Sequence, residues 1–314
     1  MINLALYVFV SLVSLVLLYK ASAWVIKYSV VLAKILGVST FVLGFVLVAL
    51  STSLPELGVA VFSSYHGEPG LSAGDLLGSN FTDLALILGL CVVFAGTIHL
   101  KEKQTVELIE LLLISFFVML LLFYIEVLQP IHGIFLIGIF AVLVKKLYQS
   151  GEVNVRMTQK EEDHKIETVA KFVGSLILLL VSAELLVGSV LRIISELGLS
   201  ASFIGATFMA FGTSVPEISF ELTAIKQKKY ALAMGDLFGS MVTNVTLIFG
   251  VLAIMNPGTL DLGSLFPVVL FTLPGVLLVW YGFCVKHKIT KNMGFFLLAL
   301  YFAYLGFQWF TQIA

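Results

Sequence analysis

The chain has 314 residues, of which 60% are hydrophobic and 12% charged, with a net charge of −1. Soluble domains carry about a quarter charged residues, so a soluble globular protein is excluded, and the balanced charge gives no basis for a nucleic-acid partner. Mean hydropathy is +1.08, and apolar runs of about 20 residues, each able to cross a bilayer, recur from end to end.

Ten spans are expected, near residues 4–31, 37–64, 71–98, 106–125, 131–148, 167–195, 200–225, 229–255, 262–285 and 291–312. The first is read as a membrane helix and not a cleaved leader, because no basic segment precedes it and the apolar run continues past Trp24. Lys20 in this span and Glu184 in the sixth either snorkel or pair with each other.

The second span carries Thr52-Ser53-Leu54-Pro55-Glu56 inside an otherwise apolar run. Proline lacks a backbone donor and clashes with the carbonyl four residues back, here that of Ser51. In lipid such a group must find neighbours, water or an ion. The break is flanked by two hydroxyls and followed by a carboxylate, the oxygen mixture that calcium and sodium accept. A kinked helix with a protonated structural glutamate is the competing reading.

The third span opens Gly74-Asp75-Leu76-Leu77-Gly78-Ser79, with Asp83 four residues further on. Steps of four keep Asp75, Ser79 and Asp83 on one helix face, and Gly78 permits close helix packing. Asp75 lies near the helix start, where a solvated carboxylate competes with ion contact. The fourth and fifth spans carry no such motif. The connection 149–166 is polar, the longest between spans, and too short for a folded domain.

The second half repeats the first at an offset of 161 residues (217 − 56). Leu36-Gly37 falls on Leu197-Gly198, Ala49 on Ala210, and Thr52 to Glu56 on Thr213-Ser214-Val215-Pro216-Glu217. Gly74 to Ser79 falls on Gly235-Asp236-Leu237-Phe238-Gly239-Ser240, and Asp83 falls on Asn244. Polar residues and glycines align without a gap, which two unrelated leucine-rich helices would not do. Five spans per half force the second half to enter the membrane the opposite way up. The expected fold is an all-α membrane protein, ten transmembrane helices as two five-helix repeats of inverted topology. Its parts are residues 1–148, the connection 149–166 and residues 167–314. Such inverted repeats place transported ions at the repeat interface near mid-membrane.

Basic residues mark alternate connections: Lys34; Lys101 and Lys103; Lys145 to Lys165; Lys226, Lys228 and Lys229; Lys286, Lys288 and Lys291. The other connections, near Glu68, Glu126, Gly198 and Pro257, have none. The positive-inside rule then puts both termini outside and 149–166 in the cytoplasm. Glu221, one turn after Glu217, either extends an ion path toward the cytoplasm or is a solvated vestibule or helix-end residue. The five histidines lie in connections or at span ends, so no histidine relay is expected. Cys91 and Cys284 read as packing residues.

The paired Thr-Ser-x-Pro-Glu and Gly-x-x-x-Gly-Ser motifs resemble the two alpha repeats of the sodium/calcium exchanger family, within the calcium/cation antiporters. That resemblance implies calcium binding by Glu56 and Glu217, and hydroxyl or carbonyl ligands from Thr52, Ser53, Thr213 and Ser214. It implies contributions from Ser79 and Ser240, sodium sites lined by Asp83 and Asn244, and carbonyls from Ala49 and Ala210. It also makes the first spans of the two halves candidates for a sliding gate. The chain departs from the family pattern at Asp75 and Asp236, where Asn is usual, at Met241 in place of Asn, and in the order of Asp83 and Asn244.

The implied function is secondary active exchange of calcium for sodium by alternating access. Calcium/proton exchange is the alternative, and a passive cation channel a further one. No enzyme activity or cofactor is expected, since no His-Glu-x-x-His or comparable ligand set occurs. The expected partners are calcium and sodium ions and the lipid bilayer. The chain is expected to be a monomer in a prokaryotic plasma membrane.

Overall fold

The computed structural model describes residues 2–35, 52–99, 102–125, 127–149, 165–260 and 265–313. In chain order the helices are α1 Ile2–Ile35, α2 Leu54–Tyr65, α3 Pro69–Ala95, α4 Glu102–Leu122, α5 Pro130–Gln149 and α6 Lys165–Leu197. They continue as α7 Ala201–Thr213, α8 Val215–Lys226, α9 Tyr230–Met255, α10 Phe266–Val285 and α11 Lys291–Ile313. Six of them, α1, α3, α6, α9, α10 and α11, are each long and apolar enough to cross a membrane. Helix α4 starts at Glu102 where hydropathy alone placed its start near 106, because a helix can extend into polar residues beyond the hydrocarbon.

The apolar surface is distributed as lipid solvation requires. Phe9, Leu12 and Val16 of α1 and Phe302, Trp309 and Phe310 of α11 are exposed. By contrast, 89% of the most apolar window of α3 and 83% of that of α9 is buried, against 22% for α1. Helices α3 and α9 are therefore the centre, and α1 and α6 pack along each other at the periphery. Leu18, Ala21 and Val25 of α1 meet Leu179, Ala183 and Leu186 of α6 in a cluster that also includes Val59 of α2 and Phe203 of α7.

Glycines bring the backbones together at the centre. A Cβ on Gly74 would lie 2.3 Å from the Ser202 carbonyl oxygen, and one on Gly205 would lie 2.2 Å from that of Leu71. A Cβ on Gly78 would lie 2.6 Å from the Ala206 carbonyl oxygen. Only glycine permits this α3–α7 crossing.

Two short antiparallel ribbons tie the halves together. Thr97–Ile98 pairs with Ile289–Thr290, and Val127–Leu128 pairs with Gly258–Thr259. The first joins two lysine-bearing connections and the second two connections without lysine, as the charge alternation requires. Cys91 is buried as expected, whereas Cys284 is exposed on α10 and is not a packing residue.

Candidate cation site

In each half the Pro-Glu motif starts a new helix. Helix α2 begins at Leu54 and α8 at Val215, each with proline in its first turn. The residue before each start has the same non-helical turn, Ser53 at φ −83°, ψ 9° and Ser214 at φ −80°, ψ 4°. Glu56 and Glu217 consequently stand in the first turn of their helices, where the positive end of the helix dipole favours a carboxylate.

Thr52, Ser53, Glu56, Ser79, Asp83, Ala210, Thr213, Ser214, Glu217, Ser240 and Asn244 are all buried, none more than 1% exposed. Ala49 lies outside the described residues. The two halves interlock through hydroxyls. Ser53 Oγ stands 3.1 Å from Ser240 Oγ, and Ser79 Oγ stands 3.3 Å from Thr213 Oγ1 and 3.5 Å from the Ala210 carbonyl oxygen. Each contact joins the proline break of one half to the Gly-Ser pair of the other.

The carboxylates are the unsatisfied groups. Both oxygens of Asp83 and Oε2 of Glu217 are buried with no hydrogen-bond partner among the described residues, and the buried Glu56 carboxyl has only the Thr213 hydroxyl and its own backbone beside it as donors. Glu56 is the foremost charged neighbour of Glu217, with Asp83 next. No Lys, Arg or His is among the described buried side chains, Lys34, Lys103 and Lys165 aside, whose side chains are not described. Among the described residues, no three His, Cys, Asp or Glu side chains converge on one point as a metal-binding group. The expected ligand set needs only two glutamates, with hydroxyl and carbonyl oxygens completing it.

Several expectations need correcting. Asp75 and Asp236 are not solvated: they are 0% and 4% exposed. Helix α3 starts at Pro69, so Asp75 is well inside it, and Gly74 seats that turn against α7. Thr213 donates to Asp75 Oδ1 at 3.0 Å. Glu221 is 0% exposed and is no vestibule residue, because its face of α8 packs on α9 and α3. Glu184 does not meet Lys20, which is exposed. Glu184 is instead paired with His66 at 3.0 Å, since α6 packs beside α2.

Two residues escaped the sequence reading. Asn80 donates to Ser115 Oγ at 3.1 Å and to the Met241 carbonyl at 3.0 Å, and accepts from Asn244 Nδ2 at 3.2 Å. Met241 is the position that aligns with Asn80 in the sequence repeat, so this bond joins matched positions of the two halves. The signal for Asn80 was its place directly after Gly78-Ser79. Ser115 sits in an apolar run with nothing to distinguish it.

The sequence model described as "Sodium/calcium exchanger protein" matches residues 6–147 and again 168–310. The chain is 32% identical over 297 residues to the uncharacterized membrane protein MJ0091 of Methanocaldococcus jannaschii, covering 92% of this chain and 94% of that one. It is 25% identical over 348 residues to the sodium/calcium exchanger MaX1 of Methanosarcina acetivorans, covering 94% and 96%. Among solved structures it resembles the sodium-calcium exchanger NCX_Mj soaked with Na+ and Ca2+, with a TM-score of 0.66, 28% identity and coverage of 96% and 98%.

Proposed function

The chain belongs to the sodium/calcium exchanger family, and on that premise we propose that it is a secondary active antiporter exchanging calcium for sodium by alternating access. The architecture we assign is ten spans in two inverted five-helix repeats, 1–148 and 167–314, joined by a cytoplasmic connection at 149–166. Both termini lie outside, in a prokaryotic plasma membrane, and one chain suffices.

One observation carries this reading. Glu56 and Glu217 start two helices broken in the same way, one per half, and sit buried beside each other with no basic residue among the described buried side chains. A buried carboxylate without a compensating charge is costly, so this pair calls for cations. In the proposed site the two glutamates hold calcium. Thr52, Ser53, Thr213, Ser214, Ser79 and Ser240 supply hydroxyl or carbonyl oxygens, and Ala49 and Ala210 supply carbonyls. Asp83 and Asn244 line the sodium positions.

Glu56, Glu217 and Asp83 together carry a charge of minus three when ionised. One calcium offsets two of those charges, and several sodium ions offset all three. The two loads compete for the same oxygens, which makes exchange the outcome. The unloaded cluster resists moving through the low-dielectric membrane, so each transition proceeds only with ions aboard. Helices α1 and α6, packed together at the periphery, are the proposed sliding gate.

The competing reading replaces sodium by protons. The further buried carboxylates Asp75, Asp236 and Glu221 favour it, since each can carry a proton. Calcium uptake into proteoliposomes under an imposed sodium gradient, repeated under a pH gradient, tests the proposal. Uptake driven by sodium alone is expected. Uptake driven by the pH gradient alone selects proton exchange, and uptake indifferent to both gradients defeats antiport in favour of a channel.

A further inference from the structure

Helices α8 and α9 form a hairpin around Gln227–Lys229, closed by bonds from Lys228 N–H to Ile225 O and from Lys229 N–H to Ala224 O, both 2.9 Å. Glu221 lies seven residues before Lys228 and Asp236 eight after it. At about 1.5 Å per residue both stand roughly 10–12 Å from the turn, at one depth on adjacent helices. Asp236 is the foremost charged neighbour of Glu221, followed by Glu217 and Asp83. All four carboxylate oxygens of this pair are buried and receive no bond from any hydroxyl, amide or basic group among the described residues; the two carboxyl groups stand within hydrogen-bonding reach of each other.

The first half has no such pair. Its hairpin α2–α3 places Ala60 where the second half has Glu221, opposite Asp75. Asp75 meets Thr213. Glu221 is therefore an acidic group that duplication did not supply, and the proposed machinery for exchange has no use for it. Two neighbouring buried carboxyl groups carry a charge of minus two when both are ionised, the form a divalent cation selects, and offer four of the six to eight oxygens that calcium takes. A single monovalent ion would leave half that charge unbalanced at low dielectric.

We propose that Glu221 and Asp236 form a second calcium-binding station, between the Glu56–Glu217 site and the lysine-bearing connection at 226–229. It rests on the exchanger reading for the identity of the ion and for the cytoplasmic placement of that connection. The station holds calcium beside the central site, on the cytoplasmic path, and has no equivalent on the opposite path.

Equilibrium binding of radioactive calcium to the purified full chain in detergent, by flow dialysis, tests this. The wild-type chain is expected to hold roughly two calcium ions. Glu221→Gln, Asp236→Asn and Glu221→Ala, the last giving α8 the side chain found at Ala60, are each expected to hold roughly one. Glu56→Gln is expected to lose the central ion and keep the other. Melting temperature and elution profile identify variants that stay folded, and three variants at two positions guard against one that does not. Folded Glu221 and Asp236 variants that bind as much calcium as wild type overturn the proposal, as does a wild-type chain holding a single ion. Undiminished binding in Glu56→Gln, with loss in Glu221→Gln, would instead overturn the central-site reading and leave the second station standing.

Discussion

Hairpins α2–α3 and α8–α9 share one sequence pattern, and the places where they part company are instructive. In both, a serine turn starts a helix whose first turn carries proline and glutamate, and a glycine-rich helix returns beside it. The second hairpin then adds Glu221 where the first has Ala60, and it turns through Lys228 where the first uses Gly67. Asp75 receives the Thr213 hydroxyl, while Asp236 is faced by another carboxyl, that of Glu221. Gly74 is pressed against α7, whereas a Cβ on Gly235 would meet nothing within 4 Å. In the proposed inverted arrangement two equivalent halves would give identical paths to either face, and differences at matched positions would give the two faces different chemistry.

The comparison breaks most sharply at the glutamates. Glu56→Gln and Glu217→Gln should each lower sodium-driven calcium uptake in proteoliposomes about 100-fold or more, since each removes an interaction that acts as a unit with its mate. If either variant keeps full activity, the symmetric role assigned to the pair is wrong.

The glycines come next. Gly74→Val should cost about 1–3 kcal/mol by overpacking against the Ser202 carbonyl, visible as a lower melting temperature in detergent. Gly235→Ala should be neutral or stabilising by about 0.5–1 kcal/mol, as expected for glycine replaced within a helix. Equal losses at both positions would show that the halves pack alike.

Asp75 offers a finer cut. Asp75→Ala removes one of the two acceptors at 3.0 Å from the Thr213 hydroxyl, the other being the Met209 carbonyl, and should cost about 0.5–1.5 kcal/mol, the usual range for a buried hydrogen bond. Asp75→Asn keeps an acceptor and should recover much of that stability. A comparable loss in both would make the charge, and not the hydrogen bond, the contribution of Asp75.

A further effect, no larger, is expected at the turn. Lys228 has φ 57°, a left-handed conformation that Gly67 adopts at φ 73° in the first half. Lys228→Gly should raise stability by about 1 kcal/mol, the strain a side chain carries there. An unchanged melting temperature would mean that Lys228 contacts offset the strain.

What the sequence determined by itself was set by periodicity and by expensive residues in apolar surroundings. For the described residues the run lengths located helix ends to within a few residues, residues 37–51 of the second expected span lying outside them, and the gapless match of Thr213 to Glu217 on Thr52 to Glu56 pointed to the candidate site. Lysine alternation grouped the connections that the two short ribbons then joined. The tertiary structure decided what depends on neighbours from elsewhere in the chain. Burial of Asp75, Asp236 and Glu221 follows from helix contacts that no local pattern encodes, since a carboxylate near a helix start is as readily solvated as enclosed. The pairing of Glu184 with His66 depends on α6 lying beside α2. Asn80 bonds to a carbonyl 161 residues away, and that partner exists only once the halves have closed on each other. Side-chain spacing reports which face of a helix a residue occupies, but only packing reports what that face meets.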